Sequence, residues 1–73
     1  MNATARRNGK LIRKIAKLDR RWRAEGRPEG RTANDLAMYL GRAYRTGLGT
    51  AARRQQNRNA AALGQRSGWE RAA

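Results

Sequence analysis

Lys10-Leu11-Ile12-Arg13-Lys14-Ile15-Ala16-Lys17-Leu18-Asp19-Arg20-Arg21-Trp22 is the stretch that decides the fold. Leu11, Ile15, Leu18 and Trp22 stand at i, i+4, i+7 and i+11, which is one stripe of an α-helix. Ile12 and Ala16 widen that stripe. At about 100° per residue, Arg6, Lys10, Arg13, Lys14, Lys17, Arg20 and Arg21 gather on the opposite side within an arc of about 120°. Asp19 stands four residues before Arg23, a spacing at which the two can pair. The helical pattern runs from about Arg6 to Glu25. It must stop near Gly26, because Arg27-Pro28-Glu29-Gly30 follows and a proline disfavours the helical region for the residue before it.

Two further helices follow. Thr32-Ala33-Asn34-Asp35 reads as a capping signal with an acid in the first turn. Leu36, Tyr39, Leu40 and Ala43 then make an apolar face flanked by Tyr44, with Arg42 and Arg45 on the far side. Gly47 fits a left-handed cap. Thr50 can cap a third helix from Ala51 to Leu63, closed by Gly64. That segment has no clean apolar stripe. Its large apolar residue is Leu63, and Ala51, Ala52, Ala60, Ala61 and Ala62 surround Arg53, Arg54, Gln55, Gln56, Asn57, Arg58 and Asn59. The expected fold class is all-α: a small three-helix arrangement (about 6–25, 33–46 and 51–63) with a basic N-terminal arm and a frayed C-terminal tail. Residues 1–7 form the arm, 8–64 the single helical domain and 65–73 the flexible tail. Leu36-Ala37-Met38-Tyr39-Leu40-Gly41 is also the local pattern of the first helix of a helix-turn-helix. The turn then falls either at Gly41 or at Gly47-Leu48-Gly49.

Composition limits both core and chemistry. The 73 residues suit one small domain. Lys and Arg number 18 against 5 Asp and Glu, a net charge of +13. Of the apolar residues 14 are Ala, and Leu plus Ile come to 8, so the domain must lean on helix propensity, a dimer partner or a polyanion. Cys and His are absent, which removes disulfides, thiolate metal sites and the usual general base. Asp19, Glu25, Glu29, Asp35 and Glu70 are scattered, and Ser67 has no His to activate it. Gly47-Leu48-Gly49-Thr50 lacks the ending of a phosphate-binding loop. The chain therefore reads as no enzyme, with no cofactor, no metal and no small-molecule substrate. No apolar run approaches a membrane span, so no transmembrane segment is expected. Met1 to Arg7 lacks the apolar block of a signal peptide, and a cytoplasmic location follows, nucleoid-associated if DNA is bound.

The charge calls for an anionic partner. Fifteen of the 18 basic residues are Arg, whose planar fork suits phosphate, although Ala, Gly and Arg together also fit a GC-rich coding sequence. The first helix can be a solvated face or a phosphate-tracking one. Unpaired like charges at i, i+3 and i+4 destabilise a helix by a few tenths of a kcal/mol each, which favours an external anion. In the third helix Arg can read guanine, and Asn or Gln adenine, in a major groove. The expectation is a DNA-binding protein, in transcription regulation or DNA architecture. Phosphate and base contacts fall to Arg6, Arg7, Lys10, Arg13, Lys14, Lys17, Arg20, Arg21, Arg53, Arg54, Gln56, Asn57 and Arg58. DNA is preferred to RNA because side chains cannot read the deep groove of A-form RNA. The alternatives are a ribosome- or RNA-associated basic protein, an interfacial membrane helix, and an interaction module or inhibitor docking on an acidic protein surface. A homodimer is compatible with all of them, since the Leu11–Trp22 stripe exceeds what the second helix alone can cover. Trp22 is read as core, Trp69 as a cover over the core, Tyr39 as core and Tyr44 as its edge.

Overall fold

Three helices run α1 (Ala3–Glu25), α2 (Arg31–Arg45) and α3 (Gly49–Ala62) in a computed structural model that describes residues 3–65. The all-α, three-helix class read from the sequence is the one observed. Helix α1 begins at Ala3, so the described part of the expected arm is helical. Ala3, Ala5, Arg6 and Arg7 are good helix formers with no breaker among them, and the helix simply extends toward the N-terminus. Of the tail, Gln65 is described; Ser67 and Trp69 lie outside the described residues.

Both later helices start two residues earlier than expected, and neither Thr acts as a cap. Gly30 precedes α2 and Leu48 precedes α3, and neither start carries a side-chain capping bond. The Thr32 hydroxyl instead donates to Glu25 Oε2 at 3.0 Å, tying the start of α2 to the end of α1. Leu48 packs against the core and its N–H donates to the Ala43 carbonyl at 2.7 Å, so the chain is already aimed into α3 when it leaves that residue.

The helix ends follow the glycines. Gly47 has φ 79°, a region that costs a residue with a Cβ. There the Leu48 N–H bonds back to the Ala43 carbonyl and the Gly47 N–H to the Tyr44 carbonyl at 3.3 Å. These are the two bonds of a Schellman end, and they satisfy carbonyls the helix leaves open. The end of α3 repeats the pattern: Gln65 N–H to the Ala60 carbonyl at 2.8 Å and Gly64 N–H to the Ala61 carbonyl at 3.1 Å. Gly41 lies inside α2, so no turn falls there, and residues 46–48 join α2 to α3.

Ile15, Leu18, Trp22, Leu36, Ala43 and Ala52 form the buried core, with Leu11, Ile12, Ala33, Tyr39, Leu40 and Leu48 packed around it. Full burial of the larger members contributes about 1.5–3 kcal/mol each. Trp22 is 2% exposed, so it is core as read. Tyr39 is half-buried, whereas Tyr44 is 62% exposed. Tyr44 lies over Gly49, where an added Cβ would come within 2.5 Å of its ring. The first helix packs against both α2 and α3. Ile15, Leu18 and Trp22 of its apolar stripe are buried within one chain, while Leu11 and Ile12 stay partly buried.

Candidate nucleic-acid interface

The cations of α1 are held outward by what the other side of the helix does. Ile15, Leu18, Asp19, Trp22 and Arg23 are buried, which fixes the rotation of α1. Arg6, Arg7, Lys10, Arg13, Lys14, Lys17, Arg20 and Arg21 are all exposed. From Arg6 to Arg21 the face extends about 22 Å at 1.5 Å per residue. Among the described residues the one ion pair joins Asp19 to Arg23, and none of these eight cations meets a carboxylate.

That ion pair belongs to a polar cluster that fastens α3 to α1. Arg23 Nε donates to Asp19 Oδ2 at 2.8 Å, and both side chains are fully buried. Asn59 Nδ2 donates to the same oxygen at 2.9 Å and to the Ala16 carbonyl at 3.1 Å. Gln56 Nε2 donates to Asp19 Oδ1 at 3.2 Å. The Arg23 guanidinium also donates to Gln65 Oε1 at 3.1 Å and, more weakly at 3.4 Å, to the Gln56 carbonyl. A carboxylate out of water costs several kcal/mol unless its oxygens are bonded and its charge is met, and here both conditions hold. Ala52 and Ala60, both buried, let α3 approach closely enough for these amides to reach.

The cluster divides the polar residues of α3. Gln56 is half-buried with its amide nitrogen on Asp19, so that donor is engaged within the fold. Arg53, Arg54, Asn57 and Arg58 are exposed. The pairing of Asp19 with Arg23 was legible from their spacing; its burial and its amide partners were not. The signal existed: at about 100° per residue Asp19 falls about 40° from Ile15 and about 20° from Ile12, inside the apolar stripe. Arg42, expected on the far side of the second helix, is exposed, and its guanidinium lies 5.4 Å from the centroid of the Tyr39 ring, with Lys14 Nζ at 6.0 Å from the same ring.

Among the described residues no cluster of His, Cys, Asp or Glu could hold a metal ion, and no helix is long and apolar enough to cross a membrane. Comparison with known protein families, with curated proteins and with solved structures finds no match for this chain.

Proposed function

We propose that this chain binds nucleic acid, with DNA as the preferred form. Cations along α1 lie on phosphates, and Arg53, Arg54, Asn57 and Arg58 of α3 face the bases. The observation that carries the reading is the α1 face itself: eight exposed cations on one helix, none met by a described carboxylate. A duplex presents one charge per about 1.7 Å of axis, so a face about 22 Å long spans enough phosphates for about six contacts. Arg and Asn are the residue types that bond guanine and adenine edges. Gln56 is left out of the base-facing set, because its amide donor is held by Asp19.

The test is binding to duplex DNA and to duplex RNA over a range of salt. About six phosphate contacts give a log–log slope near about −5 on DNA. A slope shallower than about −1, or no binding at low salt, rejects the α1 face as a phosphate surface. Tighter binding to the RNA duplex overturns the preference for DNA. Replacing Arg53 and Asn57 together by Ala lowers the preference for a selected site over random duplex more than it lowers affinity for the random duplex. Equal losses reject α3 as the reader.

A further inference from the structure

The groove between α1 and α2 has a make-up that a phosphate-tracking face does not require. Its volume is about 610 Å³, and its rim carries Arg7, Lys10 and Lys14 from α1 and Arg42 from α2. Among the described residues no carboxylate lines it. Its floor includes Leu11 and Tyr39, both half-buried against the core. The heads of Lys14 and Arg42, from two different helices, are both drawn to the Tyr39 ring.

Cations over an apolar, aromatic floor match one form of nucleic acid better than the other. A duplex keeps its bases stacked inside and offers such a groove only phosphates and sugars, leaving Leu11 and Tyr39 uncovered. An unpaired strand offers phosphodiesters and bare base faces side by side, and the faces pack on aromatic and apolar side chains whatever the sequence. The volume agrees, since about 610 Å³ falls in the range of small-ligand pockets.

We infer that the α1–α2 groove holds an unpaired stretch of a DNA strand, its phosphates on Arg7, Lys10, Lys14 and Arg42 and a base on the Leu11–Tyr39 floor. Lys14 and Arg42 exchange the ring for phosphate oxygens when the strand enters. The inference rests on the nucleic-acid reading, because three of the four cations belong to the α1 face. It adds the single-stranded form of the ligand and a contact, Arg42, that α1 alone does not supply.

The experiment titrates a short oligothymidylate and a short duplex against the intact chain, Arg42→Gln and Arg45→Gln at several salt concentrations. Arg45 is an exposed cation of the same helix that does not line the groove, so its variant controls for net charge. On oligothymidylate, Arg42→Gln reduces the steepness of the salt slope by about 0.7, the share of one single-strand phosphate, and weakens binding about tenfold at low salt. Arg45→Gln leaves the slope unchanged. Tyr39→Leu, which keeps an apolar side chain on the core, weakens oligothymidylate binding with the slope intact. On the duplex the two Arg variants behave alike. Equal effects of the two Arg variants on oligothymidylate overturn the inference. So does binding of the duplex without binding of the single strand, which leaves the broader function standing. Binding of neither form removes both.

Discussion

Asp19→Ala removes the carboxylate on which α3 is fastened. The side chain is fully buried and accepts from Arg23 at 2.8 Å, Asn59 at 2.9 Å and Gln56 at 3.2 Å. Without it, Asn59 keeps the Ala16 carbonyl and Gln56 loses its acceptor. Arg23, only 2% exposed, is left with Gln65 and a weak backbone contact but no opposite charge. Orphaning one member of a buried pair costs about 3–5 kcal/mol. A chain of this size has about 4–11 kcal/mol of stability in all, at about 0.05–0.15 kcal/mol per residue. Urea unfolding followed by far-UV circular dichroism measures the loss. Glu29→Ala is the control, since it changes net charge equally at an exposed loop position and costs less than about 0.5 kcal/mol. Adding Arg23→Met to Asp19→Ala removes the orphaned guanidinium and recovers about 2 kcal/mol, read as a urea midpoint above that of the single variant. A loss within about 1 kcal/mol of the control, or no recovery from the second substitution, refutes the argument that a buried charge pair holds α3.

Two other substitutions probe how closely the helices approach. Ala52→Leu inserts volume at a fully buried contact of α3 and lowers stability by about 1–3 kcal/mol, read as a lower urea midpoint. Gly49→Ala sets a Cβ within 2.5 Å of the Tyr44 ring and costs about 1 kcal/mol in thermal melts; because Tyr44 is 62% exposed, Tyr44→Ala removes that cost.

Hydrophobic period made α1 and α2 legible, and glycine made their ends legible. The Leu11–Trp22 stripe sets the rotation of α1, and Gly47 and Gly64 fall where left-handed caps are needed. Helix starts were read less well because Thr32 and Thr50 carry the chemistry of a cap without its geometry. Tertiary partners, Glu25 for Thr32 and the core for Leu48, decided those positions. The inner face of α3 was not legible for a related reason. Ala52, Gln56, Asn59 and Ala60 bury no large apolar group, so no moment announces which side turns inward. Amides that bond a carboxylate 37 and 40 residues away look, in sequence, like amides free to meet a base. For the α1 cations from Arg6 to Arg21 exposure was predictable, because the apolar stripe leaves them one direction to point.

The polar fastening of α3 fixes more than its attachment. Greasy surfaces slide and rotate over one another at small cost, but a carboxylate whose two oxygens are already claimed admits one arrangement. Shifting α3 by a single residue turns Gln56 and Asn59 by about 100° and strips both amides from Asp19. The exposed Arg53, Arg54 and Arg58 of α3 thus keep a constant offset from the cationic face of α1, as two combs riveted at one tooth do.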